Sequence, residues 1–272
     1  MITGRLNHVR EDDIIETNGC MEALSLCLRA IAGVGDVIAV ESPTFFSLLQ
    51  LIQDLGMKAL EIPTHPQGGV DLASLRKALG VNSVKACLFI SNFHNPLGCV
   101  IPDENKRELV RFLGETEIPV IEDDIYGDLN FQKPRPTTLK SFDQKGLVLY
   151  CSSFSKTLAP GLRVGFTLPG RFSEKVQRLK INSTLTAPTM NQLILSDFLK
   201  SGSYERHLRK LRNALKNQMH RSIMAIARYF PRDTRLTAPD GGFMLWVELP
   251  ERISSLDVYR ERLKSGFPLF PD

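Results

Sequence analysis

Short apolar segments alternate with helical patterns between residues 20 and 170, and this alternation limits the folds that the chain can adopt. Each segment reads as a buried strand because it is almost continuously apolar and short. The predicted strands are residues 36–40, 84–90, 118–121, 147–150 and 163–166. Strands of this kind are typical of a parallel sheet that is covered on both faces.

Helical patterns separate these strands, and the predicted helices are residues 21–32, 44–55, 71–79 and 102–114. The last of them opens with Pro102 and Asp103, which suit the first turn of a helix. The alternation of the two patterns predicts an α/β fold, with a mainly parallel, doubly wound sheet and helices on both faces.

The pattern changes beyond the last predicted strand. Two helices follow, the second of them long, from about Ser203 to Phe230. A strand at residues 241–249 and a helical pattern from Ser255 then read as the start of a small α+β domain that is only partly present. We therefore expect a large domain at residues 1–203, followed by an interdomain helix and a partial small domain at residues 204–272.

Composition narrows the class of protein. The chain has 272 residues, a net charge of +4 and five cysteines, none of them in a CxxC pair, which fits reduced thiols in the cytoplasm. No apolar run approaches a membrane span, and the N-terminus lacks a signal-peptide core. The densest basic run, residues 206–221, has helical spacing, so we interpret it as a solvated helix face rather than a nucleic-acid patch.

A lysine stands among hydroxyl groups and an arginine just after the strand predicted at residues 147–150. Lys156 could hold an aldehyde as a Schiff base. Ser153, Ser155 and Arg163 could bind a phosphate beside it. A serine-rich turn leading into a strand is the structural alternative. The combination suggests pyridoxal phosphate (PLP) as cofactor.

Acidic residues follow the strand predicted at residues 118–121. Ligands of α/β sheets bind beyond the carboxyl ends of the strands. Asp123 could pair there with the pyridine nitrogen of PLP and keep it protonated, and Tyr126 could donate to the phenolic oxygen. A solvated acidic loop and a magnesium site are the alternatives. We rank magnesium below PLP because the chain has no phosphate loop of the GxxxxGK[ST] kind, and we expect no metal.

Two further strand ends carry candidate residues. Asn95 lies in a turn after the strand at residues 84–90, where its amide could donate to the same phenolic oxygen, although a tight Asn-Pro turn is the structural alternative. We assign no role to His94. Phe45 and Phe46 follow the strand at residues 36–40, and either could stack on a planar cofactor, although such residues are more often part of the core.

A helix start provides the last candidates. Gly19 permits close approach of the backbone, and the free N–H groups of the helix start, with that of Cys20 among them, would attract a phosphate at the positive end of the helix dipole. An ordinary helix start, with Cys20 as a plain buried thiol, is the alternative.

Taken in order, these segments resemble the fold-type I PLP-dependent aminotransferases of class I and II. The resemblance is strongest to the aminotransferase-like domain of MocR-type regulators in the GntR superfamily. The resembling segments are residues 17–24, 40–45, 91–98, 102–107, 121–127, 152–165 and 241–249. Under this resemblance Lys156 forms the Schiff base and moves the substrate proton, Asp123 pairs with the ring nitrogen, and Phe45 stacks on the ring.

The same resemblance implies the other contacts to PLP. Asn95 and Tyr126 would hold the phenolic oxygen. The phosphate would be bound by the start of the helix together with hydroxyls and a guanidinium; these residues are Gly19, Cys20, Met21, Ser153, Ser155 and Arg163.

Two functions follow from the resemblance. The first is amino-group transfer between an amino acid and a 2-oxo acid. The second is a PLP- and effector-binding, dimerising domain of a transcriptional regulator with little or no turnover. In both, the chain would be a homodimer that binds no nucleic acid itself, because a winged-helix domain normally precedes this region. The chain reads as truncated at both ends, so the arginine that usually binds the substrate carboxylate is not assigned.

Overall fold

A computed structural model describes residues 9–132 and 134–266. Within them the strands are β1 Ile15–Thr17, β2 Val37–Ser42, β3 Lys58–His65, β4 Gly69–Val70, β5 Val84–Phe89, β6 Val120–Asp123, β7 Val148–Ser153, β8 Gly165–Leu168, β9 Arg235–Leu236 and β10 Val247–Glu248. The α-helices are α1 Cys20–Ile31, α2 Phe46–Asp54, α3 Leu72–Val81, α4 Asp103–Glu115, α5 Ser173–Thr184, α6 Thr189–Lys200, α7 Ser203–Tyr229 and α8 Ser255–Lys264.

Among the described residues, eight strands form one mixed sheet in the order β1-β8-β7-β6-β5-β2-β3-β4. The five neighbouring strands β7, β6, β5, β2 and β3 in this order are parallel. The outer strands β1, β8 and β4 pair antiparallel. The predicted α/β fold with a mainly parallel sheet is therefore confirmed, with antiparallel pairing at both edges.

Two apolar layers cover the faces of this sheet, because successive side chains of a strand point to opposite faces. Ile121 of β6 packs in one layer with Leu24 of α1. Its neighbour Val120 packs in the other layer with Leu75 of α3 and Leu109 of α4. The same alternation decides which way the acidic residues at the end of β6 point.

The ends of the parallel strands place the candidate residues at one edge of the sheet. The carboxyl ends of β5, β6 and β7 lie side by side, since these strands are parallel neighbours. The chain leaves them at Phe89, Asp123 and Ser153. Turns and loops at such an edge are where ligands bind in α/β proteins.

The strand predicted at residues 241–249 is mostly wrong. Only Val247–Glu248 forms a strand, paired with Arg235–Leu236. The preceding part is tied instead to the loop after β6, since the Gly242 N–H donates to the Leu129 carbonyl at 3.0 Å and Gly241 forms an isolated bridge with Asn130. These contacts bring residues 241–244 against the large sheet, and regular pairing starts only beyond them.

Several elements were absent from the sequence prediction, namely β1, β3, β4, β9 and α5. β3 is an alternating and largely exposed strand that contains Pro63, so it lacks the continuous apolar pattern. α5 buries only Val176 and Lys180, so it shows little apolar periodicity. Residues 267–272 of the predicted small domain lie outside the described residues. The boundary after residue 203 stays a prediction, although α7 begins at Ser203.

No α-helix within the described ranges is both long and apolar enough to span a bilayer. All five cysteines are buried and unpaired. Cys27 Sγ lies 3.6 Å from Cys151 Sγ, between α1 and β7. The thiols are therefore packed within the core.

Candidate active site

Asp123 ends β6 with its carboxyl group turned toward α1. It is 5% exposed, and the Cys20 thiol donates to its Oδ1 at 3.4 Å. The Ile125 N–H donates to the same oxygen at 3.2 Å. Burial raises the pKa of Asp123 to about 7; the charges of Asp124 and Glu41 act in the same direction, and the two hydrogen bonds oppose it. A cationic partner would stabilise this carboxylate strongly.

The neighbouring acidic residues point to the opposite face. Asp124 pairs with Arg135, whose Nη2 lies 2.5 Å from Oδ2, and it accepts from the Tyr150 hydroxyl at 2.8 Å. Glu122 accepts from the Leu139 N–H at 2.7 Å. Because strand geometry separates the carboxylates, they do not converge on one point. The ranges 9–132 and 134–266 contain no group of side chains suited to a metal ion.

Asn95 and Tyr126 meet at the ends of β5 and β6. Both are buried, and the Asn95 amide Nδ2 donates to the Tyr126 hydroxyl at 3.5 Å. The Tyr126 ring meets the Phe243 ring edge to face, with centroids 5.4 Å apart. Two predicted residues from different loops are therefore in contact, with an aromatic ring from the C-terminal region beside them.

Phe243 also lies next to Lys156. The Lys156 Nζ is 5.7 Å from the centroid of the Phe243 ring, and Lys156 itself is exposed. Sequence reasoning missed Phe243 because we assigned residues 241–249 to a strand. The signal that could have found it is an aromatic residue directly after Gly241 and Gly242, within a segment that carries the family resemblance.

The turn that bears Lys156 follows β7 directly. Within it the Ser155 N–H donates to Ser153 Oγ at 3.3 Å. From the other side α7 holds the turn, since the Tyr204 hydroxyl donates to Thr157 Oγ1 at 2.9 Å. Lys156 is thus exposed, and hydrogen bonds hold the turn on either side of it in the chain.

Arg163 lies directly against the start of α1. Its Nη2 donates to the Asn18 carbonyl at 2.7 Å. Gly19 has φ of +91°, and a Cβ there would lie 2.5 Å from Arg163 Nη2. A Cβ on Gly165 would lie 2.6 Å from the Gly19 carbonyl carbon. Only glycines permit this approach, which leaves a guanidinium beside the N–H groups of a helix start, and this donor set fits a phosphate.

The remaining predicted residues have less direct geometry. Phe45 precedes α2, is half-buried, packs on the core and meets the Phe46 ring at 5.1 Å. Met21 lies in the first turn of α1 with 37% of its surface exposed. Their roles stay predictions. The contacts described above join most of the other residues into two groups: Asp123, Cys20, Gly19 and Arg163; and Asn95, Tyr126, Phe243 and Lys156. Ser153 and Ser155 contact each other in the turn that carries Lys156.

Comparison with known proteins gives a consistent result. The family model described as aminotransferase class I and II matches residues 3–264. The HTH-type transcriptional regulators YjiR and YdcR of Escherichia coli (strain K12) are each 40% identical to the chain, over 93% and 97% of it. The alignments cover 54% and 56% of those proteins, so the chain spans about half the length of these relatives.

Enzymes are also among the relatives. A 2-aminoadipate transaminase of Thermus thermophilus is 30% identical over 97% of the chain and 67% of the enzyme. The crystal structure of LysN, an alpha-aminoadipate aminotransferase from the same species complexed with N-(5'-phosphopyridoxyl)-L-leucine, superimposes with a TM-score of 0.88 at 28% identity. The superposition covers 95% of this chain and 67% of the LysN chain.

Proposed function

The chain belongs to the class I and II aminotransferase family, and we propose that it uses pyridoxal phosphate, bound covalently at Lys156, to transfer an amino group between an amino acid and a 2-oxo acid. Family membership implies this cofactor. The observation that carries the proposal is the first group of contacts: one helix start lies against a buried carboxyl, Asp123, and a guanidinium, Arg163. A pyridinium nitrogen and a phosphate are the two groups that such ends would bind.

In this proposal Asp123 would pair with the ring nitrogen and keep its proton in place, and the cofactor, when bound, would supply a sink for the electron pair released at the substrate's α-carbon. Lys156, besides holding the cofactor, would take the proton from that carbon at its Nζ and later donate it at a different atom. Phe45 packs on the ring. The phosphate is bound by Arg163, Ser153, Ser155 and the backbone N–H groups after Gly19.

Asn95 and Tyr126 orient the ring from the side of its phenolic oxygen. Their mutual hydrogen bond places both polar atoms near one point, where each can donate to that oxygen. The Phe243 ring contacts the Tyr126 ring and lies near Lys156 Nζ, so it covers one side of this region.

A second function is supported by a different observation. The two regulators are 40% identical to the chain, whereas the transaminase is 30% identical. In this alternative the chain is the PLP- and effector-binding domain of a transcriptional regulator, turns over slowly or not at all, and contacts no DNA itself.

We propose that the chain acts as a cytoplasmic homodimer. Unpaired thiols suit a reducing compartment. Exposed apolar side chains on α5, on α6 and between the two helices support a second copy as the partner, because a soluble monomer rarely leaves a large apolar patch open. These side chains are Ile181, Leu185, Met190, Leu193 and Ile194.

A half-reaction separates the two functions. The protein is loaded with PLP and mixed with single amino acids, and the pyridoxamine phosphate and oxo acid formed are measured. Formation of both within seconds to minutes supports the enzyme, with Lys156→Ala as the inactive control. A spectral change on amino-acid binding without these products supports the regulator. Failure of the folded protein to bind PLP would contradict both.

A further inference from the structure

A buried histidine and a buried glutamate lie directly behind Asn95, and the function above uses neither. His94 and Glu41 are 0% and 1% exposed. The His94 Nε2 lies 3.2 Å from Glu41 Oε2. Burial of a carboxyl and an imidazole costs free energy unless they interact with partners. Filling the core therefore does not by itself explain why these two polar side chains are buried here.

The imidazole ties the Asn95 turn to itself. The Leu97 N–H donates to His94 Nδ1 at 3.3 Å. The backbone of His94 also accepts from the Gly98 N–H at 2.6 Å and donates to the Cys99 carbonyl at 2.8 Å. Since Nδ1 accepts a hydrogen bond, the ring proton lies on Nε2, which faces Glu41.

Glu41 anchors this ring to the sheet. It lies in β2, and its Oε2 accepts from the Ile90 N–H at 2.7 Å, just after β5. The carboxylate thus connects two neighbouring strands at the edge where the cofactor would bind. The turn that carries Asn95 is held by this connection through the His94 ring.

The contact between His94 and Glu41 is close but not aligned. Nε2 of His94 and Oε1 of Glu41 lack a hydrogen-bond partner among the described residues. Unsatisfied buried polar atoms are costly, and each requires an explanation. Hydrogen bonds of catalytic sites are often misaligned without ligand and tighten when it binds.

We propose that Glu41 and His94 position Asn95, so that its amide donates to the phenolic oxygen of the bound cofactor. The proposal rests on the function above. Both are positioning residues, because they act through Asn95. Glu41 has a second effect, since its charge also contributes to the raised pKa of Asp123.

The bound cofactor reports on Asn95 through the pH at which its yellow absorbance titrates. A donor to the phenolate oxygen stabilises the unprotonated chromophore, so Asn95→Ala moves the titration to higher pH by about one unit, a tenfold change in proton affinity. His94→Gln moves it in the same direction. The double variant His94→Gln/Asn95→Ala shows no further shift, because interactions that act as a unit are not additive.

One control and one further variant make the result specific. His65→Gln alters an exposed histidine that contacts Asp71, and leaves the titration unchanged. Glu41→Gln keeps the shape of the carboxyl but weakens the acceptor, and shifts the titration as His94→Gln does. If the shifts of His94→Gln and Asn95→Ala add, His94 does not act through Asn95 and the proposal is overturned.

Amide hydrogen exchange tests the positioning without cofactor. His94→Asn keeps an acceptor near the place of Nδ1, whereas His94→Gln places its amide near Nε2. We expect the Leu97 amide to exchange at least tenfold faster in His94→Gln and near the wild-type rate in His94→Asn. Equal rates in wild type and His94→Gln would overturn the proposal. If the wild-type protein fails to bind PLP, the proposed function fails, and this exchange still decides whether the pair fixes the turn.

Discussion

The thiol of Cys20 lies 3.4 Å from Oδ1 of Asp123, so the first residue of α1 touches the last residue of β6. Both groups are buried. The contact fixes the distance between the helix start, where a phosphate would bind, and the carboxyl that would meet the ring nitrogen. A rigid spacing of this kind prepares a site for a ligand of one length.

Cys20 tunes the acidity of Asp123. A thiol is a weak donor, and a hydroxyl is a stronger one. Cys20→Ser should therefore lower the pKa of Asp123 from about 7, and Cys20→Ala should raise it, because a donor favours the charged carboxylate. Infrared titration of the protein labelled at aspartate carboxyls measures both. Identical titrations of the three proteins would contradict this role.

Asp123 destabilises the protein without cofactor at neutral pH. Its pKa is about 7 when folded and near 3.8 when unfolded, so the unfolded state loses its proton first as the pH rises. Stability is then lost from about pH 4 to pH 7 and stays low above it. Asp123→Asn should be more stable than wild type by a few kcal/mol at pH 8 and similar at pH 4. Urea unfolding at both pH values tests this, and a difference independent of pH would refute it.

Gly19 allows the helix start and Arg163 to come together. Gly19→Ala introduces a Cβ 2.5 Å from Arg163 Nη2 at φ of +91°. Gly35→Ala is the matched control, since its φ is +87° and nothing lies within 4 Å. Both should lose roughly 1–3 kcal/mol of stability from the backbone conformation, and Gly19→Ala should lose more because its Cβ also meets Arg163. Only Gly19→Ala should also weaken PLP binding, by about tenfold or more; equal PLP affinity of the two variants would count against the phosphate site.

Arg135 neutralises Asp124 on the opposite face of the sheet. The guanidinium is 9% exposed and the carboxyl 0% exposed. Removal of one member of a buried pair costs about 3–5 kcal/mol, so Arg135→Gln should be strongly destabilised. It should also raise the pKa of Asp123 further, because the charge of Asp124 is then uncompensated.

The exposed pair of Arg76 and Glu108 provides the control for Arg135. Arg76→Gln should change the free energy of unfolding by about 1 kcal/mol or less. Chemical denaturation of both variants makes the comparison. Similar losses in the two variants would show that the Arg135 pair does not stabilise the fold in this way.

The sequence predicted the central sheet well because burial on both faces leaves a direct trace. β5 and β7 are almost fully buried, and each appears as an apolar run. β3 leaves no such trace because most of its side chains are exposed. Local patterns report burial of an element, so an exposed strand that is held by its neighbours escapes them.

The sequence pointed to candidate site residues but not to the contacts between them. Asp123 and Asn95 were proposed from their positions after predicted strands. The contact of Cys20 with Asp123 joins residues 103 positions apart, and that of His94 with Glu41 depends on how β2 and β5 pair. Phe243 reaches the site only because its segment binds the loop after β6. Such long-range contacts follow from packing and leave no local signal.

Every role assigned to the cofactor depends on its covalent attachment at Lys156, and mass spectrometry of trapped protein addresses this attachment. The purified protein is incubated with PLP, reduced with borohydride and digested, and the peptides are weighed. We expect a pyridoxyl group on the peptide that contains Lys156, and none in Lys156→Ala. A pyridoxyl group on another lysine, or no pyridoxyl group at all in a folded, PLP-treated sample, would contradict the assignment of Lys156 as the attachment site.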